Sequence, residues 1–122
     1  MDTKKVLEVS GLYKRYFEAR GCPAVNYPHD ECMYGNDRNE KILAHCHSML
    51  DKTEKLAADG SQEQKEKALI RLGFVQCGLW ATGHYTIAAL SANNHSDTEG
   101  VNTDRPLELL TEDEMKDWEY GE

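Results

Sequence analysis

Histidines and cysteines are the groups in this 122-residue chain whose types and spacing suggest chemistry. His29-x-x-Cys32 and His45-Cys46-His47 bring metal-capable side chains within nineteen residues of one another. A tetrahedral zinc site needs four such groups on one side of the backbone. If 45–47 is helical, His45 and His47 point about 160–200° apart and cannot share one ion. Cys46 then falls inside an apolar stripe, where a cysteine is ordinarily a small core residue. No metal site is assigned on this spacing, and no cofactor. The arrangement left open is His29, Cys32 and one of His45 or His47. Thiol nucleophiles need a lowered pKa and an adjacent base. Cys77 sits in the most hydrophobic segment, and Cys22 and Cys32 have only His29 close in sequence, so no catalytic residue is assigned and no enzyme is expected.

Paired carboxylates on a helical hairpin are the other chemistry to test. Glu63-x-x-Glu66 resembles half of a magnesium site, which needs a second acidic pair from a facing helix. The chain has no Asp or Glu between Lys67 and Ser96, so that reading fails. Gly-rich phosphate loops, Gly-x-Ser-x-Gly turns and His-Glu-x-x-His are also missing from the sequence. Gln76 stands out among Leu69, Leu72, Leu79 and Trp80. A buried amide must be hydrogen-bonded, internally or to a second copy of the chain. Alternatively it anchors a ligand in a pocket rimmed by Trp80, His84 and Tyr85, with Arg71 as a further candidate.

The formal charge of −8 is carried entirely by the last 27 residues. Residues 1–95 hold twelve basic and twelve acidic side chains, whereas 96–122 hold ten acids against Arg105 and Lys116. Such a balance argues against direct nucleic-acid binding, which needs a basic footprint. The acidic segment is expected to be partly helical or disordered, with Thr111-x-x-Glu114 as a capping box. Its apolar residues suit docking on its own domain or on a partner, and Glu108, Glu112, Asp113, Glu114, Asp117 and Trp118 are the candidate contacts to a partner with a basic surface.

The elements that must hold these groups read as helices. Val6, Leu7, Val9, Leu12, Tyr13, Tyr16 and Phe17 recur near helical spacing, with Ser10 as the expected N-cap and Gly21 and Pro23 as terminators. An irregular stretch from Cys22 to Asn36 follows, long enough to wrap the core or serve a function. Asp37 and Glu40 predict the start of a helix over about 38–59, closed by Gly60. Its stripe is Ile42, Cys46, Met49, Thr53 and Leu56, widened by Leu43, Leu50 and Ala57, with Lys41, Ser48, Asp51, Lys52 and Lys55 opposite. Ser61 and Gln64 restart a helix over about 62–82 almost at once, which makes an antiparallel hairpin.

From Leu69 to Ala81 that helix is apolar around most of its circumference. It is expected to be buried on nearly all sides, by the N-terminal helix or by a second copy. Gly73 and Gly78 would let neighbouring backbones approach closely. Gly83 ends it, and Thr86 caps a short final helix through Ile87 and Leu90 that Asn93 and Asn94 stop. The expectation is an all-α bundle over 1–95, homodimeric through the hairpin, followed by an acidic tail over 96–122. No membrane-spanning segment or signal-like start is read, so a cytoplasmic setting with reduced cysteines is expected.

Glu66-Lys67-Ala68, Leu72-Gly73-Phe74-Val75-Gln76, Leu79-Trp80, Gly83, Thr86-Ile87 and Asn93, with the His45–Leu56 segment, give residues 37–94 a recognisable pattern. It resembles small helical-hairpin proteins of tailed bacteriophages and prophages. The chain departs from that pattern at Leu72, where Trp is expected after Arg71, and at Ala89, where an acid would complete the cap of Thr86. The resemblance implies a viral setting in the host cytoplasm and carries no catalytic residues. With the acidic tail, it leads to the expectation of an accessory protein that inhibits or redirects a host defence protein by binding it. The alternative is a helical protein that sequesters a signalling nucleotide through Arg71, Lys67, Trp80 and Tyr85; a weaker one is a structural zinc protein.

Overall fold

In the computed structural model, which describes residues 1–95, four helices follow one another: α1 (Thr3–Ala19), α2 (Arg38–Ala58), α3 (Gln62–Ala81) and α4 (Ile87–Asn94). There is no strand among the described residues, and the architecture is an all-α bundle. The acidic segment 96–122, with the candidate contacts from Glu108 to Trp118, lies outside the described residues. None of the helices described is long and apolar enough to cross a membrane.

α1 begins well before Ser10. Val6, Val9, Tyr13, Tyr16 and Phe17 form one buried stripe at helical spacing, so the turn that carries Val6 must already be helical. Asp2 is the cap, its carboxylate accepting from Lys5 N at 2.8 Å. Ser10 sits mid-helix instead, buried, with no hydrogen-bond partner for its hydroxyl among the described residues.

α2 and α3 make the expected hairpin. Gly60 takes φ +88°, a left-handed conformation that lets the chain reverse after α2, and Ser61 Oγ accepts from Gln64 N at 3.2 Å to open α3. The entry to α2 differs from expectation. Asp37 makes no capping bond; its carboxylate lies 3.4 Å from Lys41 Nζ. Its backbone is not extended (φ −98°, ψ 16°), and an N-cap side chain reaches its target from extended backbone. Gly78 is where the hairpin closes most tightly: a Cβ there would overlap Cys46 Sγ, and glycine therefore lets α3 approach α2. α1 lies across the hairpin, mainly on α2, with Lys14 Nζ 2.7 Å from Asp51 and 3.0 Å from Glu54.

Within one chain the N-terminal helix does not bury α3 on nearly all sides. Ala68, Leu72, Val75, Gly78 and Leu79 are buried, but Ile70 is 74% exposed, Phe74 53% and Trp80 50%. Gly73 and Cys77 lie on the same outer side. At 100° per residue these five span an arc of about 120°, opposite the buried arc. α1 packs over α2 and the end of α3, and leaves this arc uncovered.

Candidate functional site

Gln76 shows how the bundle handles a polar core residue. Its amide nitrogen donates to Tyr13 Oη at 3.0 Å and to Asn94 Oδ1 at 2.7 Å, and Asn94 Nδ2 returns a bond to Gln76 Oε1 at 3.1 Å. Asn93 Nδ2 also donates to Tyr13 Oη, at 2.9 Å. One phenol and three amides therefore lock α1, α3 and α4 together. Tyr13 is fully buried, which pushes its phenol up to about 12. Gln76 is thus satisfied inside the chain and does not anchor an open pocket.

The other residues expected around it are not brought together. Tyr85 is buried against the rings of Tyr13 and Tyr16, at centroid distances of 5.6 and 5.1 Å. His84 Nδ1 is 2.7 Å from Tyr16 Oη, which donates to it when the ring proton is on Nε2; burial, then Arg20, holds its pKa below the usual histidine value. Trp80 is on the exposed arc of α3. Arg71 faces a different region altogether. Lys67 and Arg71 border a shallow groove with Ile70, so the four residues expected to converge on a nucleotide do not share a cavity.

The two helix histidines leave α2 on opposite sides, as the 100° geometry requires. His47 stacks on Phe17 at 5.1 Å and donates from Nδ1 to Cys22 O at 2.9 Å. His45 turns towards α3 and the 22–36 loop. Its Nδ1 accepts from Tyr27 N at 3.0 Å, and its ring lies 5.7 Å from His29 and 6.0 Å from Phe74. Cys32 does not join them: among the described residues no three His, Cys, Asp or Glu side chains gather as a metal site requires. The four cysteines are unbridged. Cys46 is enclosed, and its thiol is pushed up to about 12 by burial and then by Cys22 and Cys77, which is the reverse of a nucleophile's environment.

The loop is pinned to α2 by three bonds: Val25 N to Ala44 O at 3.0 Å, Tyr27 N to His45 Nδ1, and His47 to Cys22 O. Pinned there, it roofs the groove between α2 and α3 and encloses a cleft of about 580 Å³. α2 lines it with Ile42, His45, Ser48, Met49 and Lys52, which recur at i, i+3, i+4 and i+7 intervals along one stripe. α3 contributes Arg71 and Phe74, and the loop Tyr27, His29, Glu31 and Met33. Sequence reading placed Ser48 and Lys52 on the solvated side of α2 and did not single out this cleft. The legible signal was the His45–Lys52 stripe facing Arg71 and Phe74 across a short hairpin. Comparison of the chain with protein-family models, curated proteins and solved structures found no match.

Proposed function

We propose that this protein is a phage-type accessory protein that acts by binding rather than catalysis, as a homodimer, and inhibits or redirects a host defence protein. The observation that carries the reading is the uncovered apolar arc of α3. Ile70, Phe74 and Trp80 are more than half or about half exposed on one side of one helix, and such contiguous apolar surface marks an interaction site. Gly73 lies on the arc with no heavy atom near the position a Cβ would take, so a second helix can come close there. Self-pairing of α3 would cover the arc in both copies at once. The carboxylates of Glu108, Glu112, Asp113, Glu114 and Asp117, with Trp118, are then the contacts to a partner that presents basic surface.

Two measurements on the full chain test this. Sedimentation velocity should give a dimer for the native protein and a monomer of unchanged helicity for the double substitution Ile70→Glu, Phe74→Glu. A native protein that stays monomeric at 100 µM overturns the dimer. In affinity capture from host lysate, neutralising Glu108, Glu112, Asp113, Glu114 and Asp117 to their amides should remove the captured protein. Equal capture by both forms overturns the role of the tail.

A further inference from the structure

The cleft between α2, α3 and the 22–36 loop is lined by donors on His45, Lys52 and Arg71 that make no hydrogen bond to another described residue. Because His45 Nδ1 accepts the Tyr27 N–H, the ring proton sits on Nε2. That Nε2–H has no hydrogen-bond partner among the described residues. Burial, then His29 and Arg71, lowers the pKa of His45, in keeping with a neutral ring held in this tautomer. Arg71 Nε is shut off from solvent and also has no hydrogen-bond partner among the described residues. Lys52, one helical stripe along from His45, makes no ion pair with any described residue, although Lys14, Lys41 and Lys67 each do. The lining carboxylate opposed to these cations is Glu31, which is exposed on the loop.

A polar group left without a partner away from water costs free energy, so the shut-off Arg71 Nε, in a cleft that His45 and the solvated Lys52 also line, points to an absent acceptor. The rest of the lining is mixed: Phe74, Ile42, Met33 and Met49 give an apolar wall, and Asn26, His29 and Ser48 add polar groups. At about 580 Å³, the space falls within the 300–1,000 Å³ range typical of small-molecule sites.

We infer that this cleft is a binding site for a small phosphate monoester with an aromatic body. The phosphate is held by Arg71, Lys52 and the His45 Nε2–H, and the ring lies against Phe74. Phosphate is favoured over carboxylate because the three donor groups come from three separate side chains, which matches three terminal oxygens better than a planar pair. The two charges of the ester at neutral pH match the two cations. The site shares Phe74 with the uncovered arc, but its donors lie neither on that arc nor in 96–122, so the Arg71 and Lys52 variants test it apart from the dimer and tail reading.

Isothermal titration calorimetry of the full-length protein with phenyl phosphate, inorganic phosphate, benzoate and phenol tests it. Phenyl phosphate should bind saturably with a Kd below about 1 mM, more tightly than inorganic phosphate or benzoate, and phenol should not bind. Arg71→Gln should weaken phenyl phosphate by roughly tenfold or more, and Lys52→Gln by several-fold. Lys52 is exposed, so its variant keeps the test decisive if the Arg71 variant does not fold. Phe74→Ala should bring the affinity for phenyl phosphate down to that for inorganic phosphate. The absence of saturable phenyl phosphate binding up to 10 mM overturns the site, as does unchanged affinity in the folded variants or tighter binding of benzoate. A phosphotyrosine peptide that binds more tightly than phenyl phosphate would reassign the cleft to protein recognition and overturn a small-molecule ligand.

Discussion

Tyr13→Phe isolates the phenol at the centre of the α1–α3–α4 junction. The ring keeps its edge contact with Tyr85, so packing is preserved and only the oxygen is lost. That oxygen accepts from Gln76 at 3.0 Å and from Asn93 at 2.9 Å. Gln76 keeps a second acceptor, Asn94 Oδ1 at 2.7 Å, and loses little. Asn93 is buried, and its donated bond to the phenol disappears with the oxygen. An abandoned buried donor costs about 1–3 kcal/mol, so the substitution should destabilise by about 2 kcal/mol. For a described domain of this size that is roughly 10 °C in Tm. Urea titration followed by far-UV circular dichroism should show a lower midpoint at unchanged slope.

An alkaline arm gives an independent check. The phenol is raised from 10 to about 12 in the folded state, so the folded protein holds this proton more tightly than the unfolded chain. The associated stability is complete below pH 10 and is lost as pH rises from 10 through about 12, an effect on the order of 2–3 kcal/mol. Tyr13→Phe should therefore lose less stability than the native protein across that window. A Tyr13→Phe protein within about 0.5 kcal/mol of native at pH 7 would refute the argument, since that is the scatter of substitutions that touch nothing important.

Three further outcomes follow from the same geometry. Gly78→Ala forces a methyl group onto Cys46 and should cost about 1–3 kcal/mol, whereas Gly73→Ala, with open space around it, should stabilise the helix by up to about 1 kcal/mol; urea midpoints at low protein concentration compare them. In a thiol-reactivity assay, exposed Cys32 and Cys77 should react quickly, Cys22 more slowly, and enclosed Cys46 only on unfolding. His45 and His84 both have lowered pKa values in the fold, so their contribution to stability is present above about pH 6.5 and is lost as pH falls through the folded values; the double substitution to Gln should flatten the acid limb of a pH–stability curve.

The helices, their order and most of their ends were readable from residue types, because the signals are local. Ser61 and Thr86 each cap the helix that follows them, with bonds to Gln64 and Ala89. Gly60 and Gly83 take the positive φ that ends α2 and α3. Apolar spacing in α2 correctly placed Cys46, Leu50, Thr53 and Ala57 inside. Ser10 misled because a good capping residue is also tolerated mid-helix, and only the burial of Val6 and Val9 shows that the helix has already begun.

What local pattern could not supply was the pairing of faces. Composition made α3 apolar all round, yet a helix is buried only where a neighbour reaches it, and α1 reaches α2, α4 and the end of α3 but not the outer arc. Gln76, Trp80, His84 and Tyr85 are close in sequence but point to the core, to solvent, to Tyr16 and to the tyrosine cluster respectively. The cleft is the converse case. His29, His45, Lys52 and Arg71 span 43 positions of the chain, and they meet because the Gly60 turn sets the register of α2 against α3 and Tyr27 N–H ties the loop to His45. Hydrophobic periodicity and capping act over a few residues and so fix where helices lie. Which donors share a cleft depends on contacts between distant segments, and those exist only once the bundle has closed.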